Sequence, residues 1–191
     1  MEDINSNTLY INFSGEINPI SVERIRAGIL SVVQNINHEN IDHLYFLFSS
    51  NGGCVTSGIE LFNFLKALSI KITMHNTGTV DSIATVVFLA GEQRYSTEHS
   101  SFLLHGVTVN LNSTSLKLNT LKELVSQVER DEEKIISVYC KNSELTEEIA
   151  KKLFTQGQSI DLLYAKKIGI ISDIKGYVLR REDSILNLSQ Q

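Results

Sequence analysis

The sequence predicts an α/β protein whose strands form a parallel sheet built from repeated βαβ units. Short apolar runs alternate along the chain with longer segments in which apolar residues recur at helical spacing. The apolar run at residues 44–48 is continuous, which is typical of a strand buried on both faces. Glycine and other turn residues separate the runs. Together these observations indicate parallel strands joined by crossover helices.

The first half of the chain supplies six predicted elements. They are a strand at residues 9–13, a helix from Pro19 to residue 36, a strand at 44–48, a helix at 59–68, a strand at 71–75 and a helix at 83–89. The strands are short and apolar, and the helices repeat apolar residues every three or four positions. Proline suits the first position of a helix because its missing N–H would have no helical acceptor there.

The second half continues with a short apolar strand at residues 102–104 and a long amphipathic helix at 115–141. A broken helix at 145–168 and a short strand at 170–171 complete the pattern. The first eight residues and the tail from Arg180 are polar, and we expect both ends to be frayed. We therefore predict one domain over residues 1–191, with its core at about 9–174. The helix at 115–141 carries enough apolar residues to pack against another subunit or simply to face the core.

Composition excludes several classes of protein. The chain has 191 residues, with 17 Lys+Arg against 22 Asp+Glu and a net charge of −5, and no basic run that could contact nucleic acid. No segment approaches the apolar length of a membrane span. Cys54 and Cys140 form neither a disulfide framework nor a metal-binding spacing, so we predict a cytoplasmic protein without a metal or cofactor.

Three features lie where predicted strands end, which is where α/β sheets gather their ligands. They are the pair Gly52-Gly53, Ser82 and His105. Taken singly, they have ordinary explanations as a turn, a helix N-cap and a structural histidine. Taken together, they indicate a serine nucleophile with a histidine general base. The N–H groups of Gly53 and Ile83 would then hold the oxyanion.

Three segments resemble a known family. Residues 48–58 (FSSNGGCVTSG) are similar to the Ile-Asn-Ser-Pro-Gly-Gly-x-x-x-x-Gly segment of the Clp protease proteolytic subunit. Residues 78–91 resemble its nucleophile helix, with Ser82 at the serine position, and residues 103–105 resemble its Met-Ile-His. The resemblance covers about residues 9–174 in the same order and spacing. The sequence is therefore identified as a member of this family, which has the ClpP/crotonase fold.

This resemblance implies a serine endopeptidase that cleaves peptides or unfolded proteins inside an oligomeric chamber. Ser82 would be the nucleophile and His105 the base, with Gly53 and Ile83 at the oxyanion. Residues 115–141 would form the handle helix that joins two stacked seven-membered rings. Residues 107–112 alternate with period two, as an edge strand that pairs with an extended substrate does.

The family's chambers receive substrate from an AAA+ unfoldase that meets the N-terminal stretch of each subunit. Only residues 1–8 precede the first predicted strand here, which weakens the expectation of such a partner. The chain has no Gly-x-x-x-x-Gly-Lys-Ser/Thr loop, so we do not expect it to hydrolyse ATP itself.

The chain departs from the family at several positions beside the expected site. The catalytic Asp falls on Gly157 or Gln156, and the nearest acid is Asp161. Asn51 replaces the proline before the glycine pair, and residues 106–107 (Gly-Val) replace the usual Gln-Pro. We therefore expect no carboxylate at the family's position beside the histidine and low peptidase activity, unless Asp161 swings into the site.

A glutamine, Gln156 or Gln158, could instead fix the tautomer of His105 through its amide oxygen. The missing acid also leaves open a catalytically weak or silent family member that serves as a structural or binding subunit. A crotonase-like acyl-CoA enzyme is a further alternative because it shares the fold. The pair Ser82 and His105 argues against both alternatives, since neither function requires a serine nucleophile.

Overall fold

The computed structural model describes residues 7–33, 41–109 and 115–189. The strands are β1 (Thr8–Ser14), β2 (His43–Ser50), β3 (Lys71–Asp81), β4 (Gln93–Ser96), β5 (Ser101–Leu104), β6 (Gln158–Ile160), β7 (Asp173–Ile174) and β8 (Ser184–Asn187). The helices are α1 (Pro19–Val33), α2 (Val55–Ala67), α3 (Ile83–Phe88), α4 (Leu118–Asn142), α5 (Glu147–Gln156) and α6 (Leu162–Lys167).

These strands form one eight-stranded sheet in the described part of the chain, in the order β6-β5-β3-β2-β1-β8. A short branch adds β4 beside β3 and β7 beside β4. Every pairing is parallel except the one between β5 and β6. The fold is therefore the α/β architecture that the sequence predicts, with an antiparallel edge.

The apolar core lies between one face of this sheet and the helices. Alternate residues of β1 and β2 point into it, and Phe13 and Phe48 stack there with ring centroids 5.6 Å apart. Helix α3 is buried at each of its six residues. Burying a large apolar side chain stabilises the fold by roughly 1.5–3 kcal/mol. Packing thus fixes α3, and with it the residue that precedes α3.

The opposite face of the central strands carries aromatic and polar side chains. The ring of His75 is fully buried there between the Tyr45 hydroxyl, 2.6 Å from Nδ1, and the Lys175 carbonyl, 3.0 Å from Nε2. The ring of Tyr177 packs edge-on against the imidazole at 5.3 Å. Burial lowers the pKa of His75 to about 4, although the hydrogen bond to Lys175 opposes this effect. The neutral side chain of His75 therefore holds the segment around residue 175 against the sheet through its hydrogen bond to the Lys175 carbonyl.

Strand β3 is longer than the sequence predicts. The expected strand ends at residue 75, because Asn, Thr and Gly follow, but β3 continues to Asp81. Its first part pairs with β2 and β4, and residues 79–81 pair with β5. Asn76 donates to the Ser101 carbonyl at 2.8 Å and accepts from the Gly78 N–H, so these polar residues shape a bend within the strand.

The C-terminal part also differs from the prediction. The tail from Arg180 is not frayed throughout, since β8 pairs in parallel with β1 and Leu188 is only 6% exposed. Residues 170–171 are buried but do not form the predicted strand, and β7 follows two residues later. The broken helix at 145–168 contains β6, because Gly157 ends α5 with a φ of +60°. The sequence prediction also missed β4.

The described part of residues 107–112 does not form the expected edge strand. Residues 107–109 have no regular structure, and residues 110–112 lie outside the described part, as do residues 34–36 of the first predicted helix. The long helix is observed as α4, whose buried residues lie in its second half, from Asp131 to Tyr139. Among the described residues, no helix is long and apolar enough to cross a membrane.

We expect the free energy of unfolding to fall as the pH drops from about 6.5 to about 4. An unfolded imidazole binds a proton near pH 6.5, whereas folded His75 stays neutral to about pH 4. The unfolded state therefore binds more protons in this window. Protonation lowers the free energy of unfolding by at most about 3 kcal/mol, relative to its value at neutral pH. Urea denaturation at several pH values measures the effect. His75→Gln should flatten the dependence, and the same change at exposed His99 should not. An identical slope in His75→Gln would contradict the assignment.

Candidate active site

Ser82 occupies a strained turn between β3 and α3. Its φ of 54° is the only positive φ of a non-glycine residue in the described chain, a conformation that costs about 1–3 kcal/mol and clusters at functional sites. Its N–H donates to the Leu103 carbonyl at 2.7 Å, and its carbonyl accepts from the Thr85 N–H at 3.0 Å. The Ser82 hydroxyl makes no capping hydrogen bond. The turn therefore places the Ser82 hydroxyl at the end of a strand without using it to cap the helix.

The turn between β2 and α2 presses directly against this serine. A Cβ atom on Gly52 would lie 2.7 Å from the Cβ of Ser82, and one on Gly53 would lie 2.3 Å from the Ile17 carbonyl oxygen. Both glycines also have positive φ values, of +94° and +142°. Ile17 holds the turn from the other side, donating to the Gly52 carbonyl at 2.8 Å and accepting from the Cys54 N–H at 2.7 Å. Only glycine fits at both positions.

Two backbone N–H groups on these turns lack, within the described chain, the hydrogen bonds that their neighbours make. The hydrogen bonds of the β2–α2 turn leave the Gly53 N–H without an acceptor among the described residues. The Ile83 N–H belongs to the first turn of α3 and so has no acceptor within the helix. Ile83 is itself fixed, since a Cβ on Gly58 of α2 would lie 2.2 Å from its side chain. The predicted oxyanion donors thus lie on the two turns that meet at the serine.

His105 follows the end of β5 and is half-buried. Asp81 pairs with Leu103 in the sheet, so the strand ends that carry Ser82 and His105 are neighbours. No hydrogen bond joins the Ser82 hydroxyl to the imidazole among the described residues; such bonds often tighten only when substrate is present. The His105 Nδ1 lies 2.8 Å from the Gly106 carbonyl oxygen. Because a carbonyl only accepts, this contact assigns the proton to Nδ1 and leaves Nε2 as the basic nitrogen.

No carboxylate is hydrogen-bonded to His105 in the described chain. Gly157 lies beside the histidine, since a Cβ there would be 3.8 Å from the His105 Cβ, but it has no side chain to offer. Asp161 is exposed and accepts the Tyr164 N–H at 2.8 Å, as the N-cap of α6. Gln156 and Gln158 are exposed and do not bond to the imidazole. The Gly106 carbonyl, rather than a glutamine amide, is the group that orients the ring.

Sequence reasoning missed two carboxylates near these residues. Glu132 of α4 accepts the Val107 N–H at 3.1 Å, and its distance along the chain left no local signal. Asp81 has a buried Oδ1 without a hydrogen-bond partner among the described residues, and its position directly before Ser82 could have drawn attention to it.

A cavity of about 470 Å³ adjoins the site at the ends of β1 and β2. The described residues contain no cluster of three or more metal-ligating side chains.

The comparison with known families gives one direct match. The family model described as Clp protease matches residues 5–177, which is most of the chain. The chain belongs to the Clp protease family. This Clp protease family member is 25% identical over 111 residues to the ATP-dependent Clp protease proteolytic subunit 2 of Pseudomonas aeruginosa, a match that spans 56% of this chain and only 55% of that protein. It is 24% identical over 137 residues to the proteolytic subunit 1 of Chlamydia muridarum, covering 69% of each chain.

A solved structure shows the same fold. A mutant form of ClpP1 from Listeria monocytogenes superposes with a TM-score of 0.73 over 93% of this chain and 94% of that one, at 19% identity. The family and the ClpP-like α/β fold expected from the sequence are therefore confirmed. The roles of Ser82, His105, Gly53 and Ile83 remain predictions.

We expect Gly52→Ala to distort the turn that carries Ser82. The new Cβ would meet the serine at 2.7 Å in a conformation with φ of +94°, so we expect a loss of about 1–3 kcal/mol in unfolding free energy. Thermal denaturation measures this loss. Gly176→Ala is the matched control, because a Cβ there meets nothing within 4 Å. Equal melting temperatures for both variants would show that the close approach does not constrain the fold.

Proposed function

We propose that this protein is the proteolytic subunit of a Clp-type serine endopeptidase, with Ser82 as nucleophile and His105 as general base. The observation that carries the proposal is the strained turn at Ser82, which keeps the hydroxyl out of the helix cap and beside Gly52, a glycine with positive φ. A serine exposed on a sharp strand-to-helix turn is the arrangement that hydrolases use for acyl transfer. Family membership supports the same reaction class.

The proposed reaction passes through an acyl-enzyme. Ser82 Oγ bonds to the peptide carbonyl carbon while its proton moves to His105 Nε2, and the N–H groups of Gly53 and Ile83 hold the oxyanion. Collapse of this intermediate breaks the C–N bond, and His105 returns the proton to the departing amine. Water then attacks the ester by the same route and releases the carboxylic acid.

The rate should be low without an activator. A carbonyl from Gly106 orients the imidazole but stabilises the imidazolium less than an adjacent carboxylate would, and Gly157, which lies beside the histidine, has no side chain to supply one. Losing the charge of a triad acid costs up to about 10⁴-fold in rate. The same observation favours the second candidate, a weak or silent family member that serves as a structural or binding subunit. No feature of the site favours an acyl-CoA enzyme.

We further propose that residues 1–191 form one peptidase domain that assembles into stacked rings through α4. The first half of this helix exposes apolar side chains that the rest of the described chain leaves uncovered: Leu118 is 65% exposed, Leu121 41% and Val125 56%. Contact with another subunit would remove this apolar surface from water. Peptides or unfolded proteins are the proposed substrates, in the cytoplasm, and an AAA+ unfoldase is the proposed source of unfolded chains.

Labelling with a fluorophosphonate probe tests the nucleophile. We expect wild-type protein to be labelled on Ser82, because the activated hydroxyl attacks phosphorus as it would a carbonyl. Ser82→Ala should lose the label and retain its circular dichroism spectrum. Mass spectrometry of proteolytic peptides locates the modified residue, and Ser69→Ala, at an exposed serine after α2, serves as the control. Equal labelling of wild type and Ser82→Ala would reject the nucleophile.

Light scattering tests the assembly. We expect a mass many times the 21.4 kDa of one chain. Replacing both Leu121 and Val125 by Glu should dissociate the assembly, because charges would enter a buried apolar contact. The matched control is Glu at Ile20 of α1, which is 72% exposed. A wild-type monomer at high concentration would refute the role proposed for α4.

A further inference from the structure

A carboxylate of helix α4 contacts the segment that follows His105. Glu132 is half-buried, and its Oε1 accepts the Val107 N–H at 3.1 Å. The peptide group that supplies this N–H is the one between Gly106 and Val107. Its carbonyl, on Gly106, is the group that lies 2.8 Å from His105 Nδ1. One planar peptide unit therefore contacts the carboxylate at one end and the imidazole at the other.

The residues at 106 and 107 fit this arrangement. A Cβ on Gly106 would lie 2.8 Å from Glu132 Oε1, so a larger residue at this position would displace the carboxylate. A proline at 107 would have no N–H to donate. Gly106 and Val107 thus meet both requirements of the Glu132 contact.

We propose that Glu132 is a positioning residue for His105, acting through the Gly106–Val107 peptide in place of the missing acid. The carboxylate fixes the orientation of the peptide plane and polarises it, which makes the Gly106 carbonyl a stronger acceptor for the Nδ1 proton. The tautomer with Nε2 available to Ser82 is thereby stabilised, and so is the imidazolium that forms when Nε2 takes the proton. This inference rests on the proposed peptidase reaction.

The other acids near the segment have different positions. Asp161 caps α6, and Asp131, the neighbour of Glu132, pairs with Lys134 at 2.9 Å. Asp81 has one buried oxygen without a partner and makes no hydrogen bond to the segment among the described residues. Glu132 is the carboxylate whose contact with the peptide beside His105 is observed.

The rate of fluorophosphonate labelling at Ser82 tests the proposal. We expect Glu132→Ala to lower the rate constant about 10- to 100-fold, the effect expected when a charged hydrogen bond is lost. Glu132→Gln retains an accepting oxygen and should recover part of the rate. The matched control is Glu129→Ala, which removes an exposed carboxylate one turn earlier on α4. Circular dichroism and light scattering verify that each variant folds and assembles as the wild type does.

A second substitution separates positioning from general stability. Gly157→Asp restores an acid beside His105, at a position with φ of +60° that Asp tolerates better than most residues. In the Glu132→Ala background it should bring labelling back to the wild-type rate or above, because a direct carboxylate replaces the relayed one. If Glu132 only stabilised the fold, the new acid would not rescue the variant. Wild-type labelling in Glu132→Ala, or no rescue by Gly157→Asp, would overturn the proposal.

Hydrogen exchange of the Val107 amide gives a readout without activity. We expect protection in the wild type and in Glu132→Gln, and faster exchange in Glu132→Ala. Equal exchange in all three would show that the contact does not hold the peptide, and would overturn the proposal. If the wild type were not labelled at Ser82, the peptidase and the positioning of its base would fail together, and the exchange rates would still decide the Glu132 contact alone.

Discussion

The close approach of Gly52 to Ser82 constrains the whole candidate site. The β2–α2 turn and the turn before α3 are distant in sequence, and they meet there with no room for a Cβ atom on Gly52. Other contacts hold each turn in place. Ile17 holds the β2–α2 turn, whereas the buried helix α3 and the Leu103 carbonyl hold the serine. The strain at Ser82 persists because these surroundings leave no alternative conformation.

Charge is the feature in which this site differs from a complete triad. Gly157 offers no carboxylate, and the only partner of His105 Nδ1 among the described residues is a backbone carbonyl. A peptide dipole can select a tautomer, but it stabilises an imidazolium less than an adjacent carboxylate does. The carboxylate of Glu132 lies one peptide unit away, on the helix whose exposed end is proposed to contact another subunit. Subunit assembly and the orientation of His105 would therefore depend on the same helix.

Much of the site could be predicted from local sequence. Gly52 and His105 each follow a predicted apolar strand, Ser82 directly precedes a predicted helix, and turn chemistry is local. The sequence could not predict that β3 passes through Asn76 and Gly78, because pairing with β5 overrides their turn preference. Pairing with β1 likewise orders the polar strand β8. The contact of Glu132 could not be predicted either, because its partner Val107 is 25 residues away along the chain.

The most direct measurement is a crystal structure of the protein after reaction with a fluorophosphonate. We predict a covalent bond between Ser82 Oγ and phosphorus, with the phosphonyl oxygen about 2.7–3.1 Å from the N atoms of Gly53 and Ile83. Such an adduct would capture the nucleophile and both oxyanion donors at once. A phosphonate on another residue, or a phosphonyl oxygen that points away from both N–H groups, would contradict the proposed active site.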